Sequence, residues 1–191
     1  MQVESISQLV KEIKKKSTSK TYVIALSGFG GAGKSTFAQK LHENLDKSTV
    51  IHLDDFIVDQ LSIRSADWDG FDWKRLIQQV LEPLHEGKKQ IRYDVYDWKA
   101  NALTTQNKVD IEKYVILEGV GLIRDELKQY FDCTIWIDVS LEIASERGKK
   151  RDREEYKVDH DKLWDERWIL NDKDYFEKYL PDQKAEYLLQ V

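Results

Sequence analysis

One cysteine, Cys133, is present in 191 residues, so no disulfide can form within the chain. The thiol is read as a small buried group in a strand, since free cysteine packs as a compact hydrophobe. Proline is nearly as scarce. With two prolines and no low-complexity tract or internal repeat, the sequence offers no linker, and residues 1–191 read as one domain. No apolar run approaches the ~20 residues needed to span a bilayer. Met1-Gln2-Val3-Glu4 also opens without the apolar stretch of a secretory signal. A cytoplasmic location with no membrane partner is the resulting expectation. Basic excess is missing as well: 30 Lys and Arg against 35 Asp and Glu give a net charge of −5. That argues against nucleic acid as a partner.

What is present is an alternation of short apolar runs with amphipathic stretches. Ile6, Leu9, Val10 and Ile13 form an i, i+3, i+4, i+7 stripe over 4–16, a helix ended by Lys14-Lys15-Lys16. Tyr22-Val23-Ile24-Ala25-Leu26 has the shape of a strand buried on both faces. After a glycine loop, Phe37, Ala38 and Leu41 lie at helical spacing. Further strands are expected at Val50–Leu53, Tyr114–Leu117, Thr134–Ile137 and Tyr187–Leu189. Helices are expected over 73–85, around 123–131 and over 141–150. Strands alternating with helices imply an α/β fold with a mainly parallel sheet covered on both faces.

Gly28-Phe29-Gly30-Gly31-Ala32-Gly33-Lys34-Ser35 fits G-x-x-x-x-G-K-[ST] at every fixed position. Glycines let the backbone turn tightly and aim successive N–H groups at phosphate oxygens. The helix that follows adds its positive pole, Lys34 reaches the β- and γ-phosphates, and the Ser35 hydroxyl ligates Mg²⁺. The loop sits after a buried strand and before a helix, as this motif requires. Gly28, Gly30, Gly31, Ala32, Gly33, Lys34, Ser35 and the adjoining Thr36 are therefore the expected nucleotide-binding residues, with ATP and Mg²⁺ as cofactors.

Three further features favour phosphoryl transfer over other nucleotide chemistry. Asp54-Asp55-Phe56 lies at the carboxyl end of the second strand, where open α/β sheets place their chemistry. A carboxylate there can accept a proton from an acceptor hydroxyl or help hold the metal; equally, paired aspartates suit a solvated turn. Val115-Ile116-Leu117-Glu118-Gly119 has the form of a Walker B strand, with Glu118 supporting Mg²⁺. From Arg147 to Arg153, five cations fall within seven residues. Such a run is a solvated helix face, or else a lid whose arginines close over the triphosphate.

With these residues in place the chain resembles the uridine kinase and phosphoribulokinase family of P-loop kinases. The resemblance covers about Tyr22 to Tyr187 and keeps the family's order. It rests on the glycine loop, the D-[SD]-F element at Asp54-Asp55-Phe56, Glu118-Gly119, the arginine-rich lid, and the stretch Tyr175–Pro181. It implies a P-loop NTPase fold: a doubly wound, mainly parallel five-stranded sheet with helices on both faces and a small lid. The substrate side would span about 54–110 and the lid about 147–160. By resemblance Asp54 would be the catalytic base, Glu118 would assist the metal, and Arg147 and Arg151 would belong to the lid. Val95-Tyr96-Asp97-Trp98 looks like the family's V-Y-D-F segment, which makes Tyr96 a substrate contact. Asp67–Trp73 looks like a shortened acidic segment whose Asp69 would hold ribose hydroxyls. The family's H-P in that segment is missing, and Asn101 stands where uridine kinases carry a histidine. Both departures fall on the acceptor side.

The expected activity is ATP-dependent phosphorylation of a small hydroxyl-bearing acceptor, a nucleoside or a close relative. Trp68, Phe71, Trp73, Tyr96 and Trp98 are aromatics on which a flat base could stack. Pantothenate, a nicotinamide nucleoside and a sugar phosphate are the other acceptors considered. A sugar phosphate ranks lower, because residues 54–73 supply only Arg64 as a cation. The competing class is a nucleotide-hydrolysing switch without an acceptor, and Leu170-Asn171-Asp172-Lys173-Asp174 merely scrambles the guanine-reading N-K-x-D of a GTPase. Trp164 and Trp168, four apart, are expected to pack a helix onto the sheet, and no role falls to His42, His52, His85 or His160. Self-association into a homo-oligomer is left open.

Overall fold

The computed structural model describes residues 2–3, 5–18, 20–58, 63–97 and 99–190. A two-residue strand, β1 (Gln2–Val3), precedes α1 (Ile6–Lys16), whose first turn is capped by Ser5 accepting from the Gln8 N–H. Leu9, Val10 and Ile13 form its buried stripe. β2 (Tyr22–Ser27) is buried at all six positions, so its sequence shows no polar alternation. The phosphate-loop motif leads from it directly into α2 (Lys34–Asn44), which buries Phe37, Ala38 and Leu41 and packs against α1. β3 (Ser48–His52) then runs into a 3-10 turn, Leu53–Phe56.

Residues 73–85 are helical throughout. They comprise α3 (Trp73–Leu76), a π turn at Ile77–Leu81 and α4 (Glu82–His85), started by an Asp72 cap on the Arg75 N–H. An antiparallel hairpin follows, β4 (Gln90–Asp97) and β5 (Ala102–Asp110), which forms a sheet of its own. Ile91 and Tyr93 face inward by strict alternation, and an irregularity in the pairing between Val95 and Tyr96 returns Tyr96 to the buried side. The chain re-enters the main sheet as β6 (Tyr114–Glu118) and β7 (Cys133–Asp138). Between these two strands the expected helix around 123–131 is replaced by turns and one 3-10 turn, Lys128–Tyr130. The segment's backbone bonds are local turns, Leu127 N–H to the Arg124 carbonyl and Tyr130 N–H to the Leu127 carbonyl, folded around the buried Arg124, whose guanidinium donates to the Gly121 and Asp67 carbonyls.

α5 (Leu141–Arg151) is capped by Ser140 and continues into a π turn, Asp152–Tyr156, that stops at Lys157 with φ +57°. α6 (Asp161–Leu163), a π turn at Trp164–Trp168 and α7 (Ile169–Tyr179) form the next continuous helical stretch. α8 (Pro181–Lys184) and β8 (Tyr187–Gln190) complete the chain.

The main sheet has the order β1-β8-β7-β2-β6-β3, and all its pairings are parallel. Five of these are the expected strands, and β1 extends the edge beside β8. Leu26 and His52 both lie opposite Glu118, so β2, β6 and β3 end at one level. That alignment brings the phosphate loop, Glu118 and the Asp54 turn to the same edge of the sheet, the place where open α/β folds bind ligands. No helix among the described residues is long and apolar enough to cross a membrane.

Candidate active site

The phosphate loop takes the shape its glycines permit. Gly31 and Gly33 have φ of +79° and +93°, values that residues with a Cβ rarely adopt. At Gly31 a Cβ would also stand 2.0 Å from the Ala144 carbonyl oxygen, because α5 packs directly on the loop. Gly33 precedes α2 without supplying a side-chain cap, which leaves the first N–H groups of that helix free to meet an anion. The Lys34 ammonium donates to the Phe29 carbonyl at 2.9 Å. Burial lowers its pKa, while Glu118, Asp172 and Asp54 favour its charge.

Glu118, only 5% exposed, accepts from the Ser35 hydroxyl at 3.0 Å and is bonded to His52 Nδ1 at 2.7 Å. Burial pushes its carboxyl up, but His52, the Lys34 charge and Ser35 together hold it below its ordinary value. The same hydrogen bond raises the pKa of His52. Asp54 is solvent-exposed where it opens onto the cleft, with protein packed closely around the turn that carries it. That crowding and the Glu118 charge push its carboxyl up to about 6, against the pull of Lys34, Arg151 and His52. The turn carrying Asp54 is clamped by Arg75, 7% exposed, whose guanidinium donates to the carbonyls of Asp55, Ile57 and Asp94. Arg75 also lies over the Phe56 ring at 4.9 Å, so the clamp ties the Asp54 turn to the hairpin.

One cleft gathers these groups. Gly30, Gly31, Lys34 and Ser35 line one wall, and Asp54, Glu118, Gly119 and Val120 line the base. Trp68 and Phe71 close the hairpin side, and Arg151, Trp164 and Trp168 close the side of α5. Gly28, Ala32, Gly33 and Thr36 are placed by the loop and the first turn of α2 without lining the cleft. A larger cavity of about 370 Å³, bounded by Leu122–Asp125, Lys128, Phe131–Thr134, Lys184 and Glu186, contains none of the expected site residues.

Of the expected lid arginines, Arg151 faces the cleft, bonded to Asp152 Oδ1 at 2.9 and 3.2 Å and lying over the Tyr156 ring. Arg147 is exposed on α5, outside the cleft lining. Asp69 is exposed and accepts from the Ser65 hydroxyl at 2.7 Å; Tyr96 is buried and donates to Asn101. Neither lines the cleft. Trp98 lies outside the described residues. Trp73 packs on the Arg124 guanidinium at 3.9 Å.

Sequence reasoning missed three features of the site. Trp164 and Trp168, expected only to pack a helix onto the sheet, line the cleft. Trp164 stands against Gly30 and Gly148, where a Cβ on Gly148 would lie 2.4 Å from the indole, and donates to Asp152 Oδ2 at 2.9 Å. His52, given no role, is a partner of Glu118. Asp172, set aside with the scrambled guanine motif, reaches the phosphate loop from α7. The i, i+4 tryptophan spacing identified a common helix face but not what that face meets.

Residues 23–189 match the Phosphoribulokinase / Uridine kinase family. The chain is 30% identical over 144 residues to uridine kinase of Brevibacillus brevis, which covers 70% of this chain and 67% of that one. To phosphoribulokinase of Synechocystis it is 28% identical over 141 residues, covering 70% of this chain but only 42% of the relative. Its fold superposes on the structure of a possible uridine kinase from Bacillus stearothermophilus with a TM-score of 0.77 at 21% identity, covering 96% of each chain. A family match that runs from β2 to β8 encloses the whole cleft, and the chain belongs to the phosphoribulokinase / uridine kinase family of P-loop kinases.

Proposed function

We propose that this protein transfers the terminal phosphoryl group of ATP to a hydroxyl of a small, nucleoside-like acceptor. The observation that carries the reading is the placement of Asp54 in the same cleft as Lys34, Ser35 and Glu118. Asp54 would take the proton of the acceptor hydroxyl as its oxygen attacks the γ-phosphorus, while the bond to the departing ADP oxygen breaks. A carboxyl pushed up to about 6 is still ionised at neutral pH and is a better base than an ordinary aspartate. Lys34 would neutralise charge on the phosphates, and Arg151 is set to do so from the lid side.

The Ser35 hydroxyl and Glu118 carboxylate, 3.0 Å apart, are hard oxygen donors of the kind that suits Mg²⁺. Among the described residues no group of three or more His, Cys, Asp or Glu side chains could hold a metal. That fits an ion held by few protein oxygens together with phosphate and water. Bound there, Mg²⁺ would shield the phosphate charges and polarise the transferred group.

Nucleoside character is supported by the uridine kinases among the relatives. Asp69 and Tyr96 are assigned to ribose and base by family resemblance, and a cytoplasmic site of action belongs to the same proposal. The test follows ADP release from Mg-ATP across ribonucleosides, deoxynucleosides, pantothenate, nicotinamide riboside and sugar phosphates. An acceptor-dependent signal that Asp54→Asn abolishes supports the reading and names the acceptor class. ATP turnover indifferent to every acceptor would replace it with a nucleotide-hydrolysing switch.

A further inference from the structure

Behind the phosphate loop lies a carboxyl group that the transfer scheme does not use. Asp172, on α7, is 1% exposed, and its Oδ2 accepts a hydrogen bond from the Gly30 N–H at 2.7 Å. An anion this deep is unfavourable unless cations or several donors match it. Asp172 has one backbone donor in bonding range. The indole Nε1 of Trp68, which has no other partner, faces the same carboxyl and helps to hold it down. The titratable groups around it are Lys34, from the start of α2, and Tyr175, one turn further along α7, whose hydroxyl donates to the Ile123 carbonyl.

Its neighbour holds the opposite wall. Asn171 Oδ1 accepts from the Ser65 N–H at 2.8 Å and from Arg64 at 3.0 Å, and its amide donates to the Ile63 carbonyl at 2.9 Å. Two adjacent buried residues of one helix thus fasten the phosphate loop and the segment that leads into Trp68 and Phe71.

We propose that Asp172 is a positioning residue of the nucleotide site: its carboxyl holds the Gly30 end of the phosphate loop and must be neutral when a triphosphate binds. The proposal rests on the nucleotide-binding reading of the cleft given above. Gly30 lines that cleft beside Gly31 and Lys34, so an ionised Asp172 would add negative charge directly behind a site built for a polyanion. Burial, only partly offset by Lys34, the Gly30 N–H and the Trp68 indole, pushes Asp172 up to about 7. The free protein is then a mixture of both forms near neutrality, and a bound triphosphate raises the carboxyl further. Binding therefore takes up a proton, and affinity falls as pH rises above 7.

Calorimetry with the full chain, Mg²⁺ and the non-hydrolysable analogue adenylyl imidodiphosphate tests this between pH 6 and 8.5, in two buffers of different ionisation enthalpy. Wild type is expected to weaken about tenfold more than Asp172→Asn over that range, and to take up about half a proton more at pH 7. Asp172→Asn, neutral at every pH and still able to accept from Gly30, should bind with the flatter profile. Asp172→Ala, which loses the Gly30 contact as well, should bind more weakly than Asp172→Asn throughout. Identical pH slopes and proton uptake in wild type and Asp172→Asn would overturn the proposal while leaving the kinase reading intact. Wild type that binds no analogue at any pH would overturn both.

Discussion

Ser35 and Glu118 are joined by a 3.0 Å hydrogen bond that ties the first turn of α2 to the end of β6. The bond brings together the two protein oxygens best suited to a hard cation. Glu118→Gln keeps an acceptor for Ser35 but removes the charge. Phosphoryl transfer should fall about 100-fold, with the Mg²⁺ requirement moved to higher concentration. A magnesium titration of ADP release in wild type and variant reads both.

Asp54 can act as a base only while ionised, and its carboxyl is pushed up to about 6. Activity should therefore drop as pH falls through 6, by about tenfold per unit below it. Asp54→Asn should lose about 10² to 10⁴ in rate and with it that acid limb. A raised folded-state pKa also means that the fold loses stability as pH rises from the unfolded value, 3.8, through about 6. The same variant should accordingly melt higher than wild type at pH 7.5, because it removes a group that folding must keep ionised against its surroundings. Rate profiles and thermal melts across pH check the two halves.

Gly31 combines a left-handed backbone with a contact that admits no side chain. Gly31→Ala should push the loop away from Ala144, lower the melting temperature and weaken nucleotide binding by at least about tenfold. Titration with a fluorescent ADP analogue, beside a thermal melt, shows whether affinity falls by more than global stability explains.

Arg75 donates to three carbonyls from inside the protein. Arg75→Met fills much of the same volume but leaves them unpaired, and should cost about 3 kcal/mol in urea unfolding. Because the clamp bears on the Asp54 turn, turnover should suffer more than ATP affinity.

Much of this was legible in the sequence, and the reasons for the rest are physical. Buried parallel strands announce themselves as unbroken apolar runs, as Tyr22–Leu26 does, and a glycine loop has fixed spacing. The hairpin 90–110 was not foreseen. Its alternation of Ile91 and Tyr93 with Arg92 and Asp94 is interrupted at Val95 and Tyr96, and its second strand is mostly polar. The segment 123–131 has helical composition, but Arg124 is buried and donates to the carbonyls of Gly121 and Asp67, a long-range tie with no local sign in the sequence. Asp172 illustrates a different limit. Its partner Gly30 is 142 residues away, and an aspartate in an acidic helix gives no local sign that it will be buried. Asp54 and Glu118 were legible because each stands at the end of a strand whose neighbours were already placed.

β4 and β5 pair with each other and with no strand of the main sheet. Changes confined to the outward-facing side chains of β4 and β5 thus leave every strand pairing of the main sheet in place. The parallel sheet and the hairpin are in this sense separate ladders, joined through side chains such as Arg75 rather than through strand pairing.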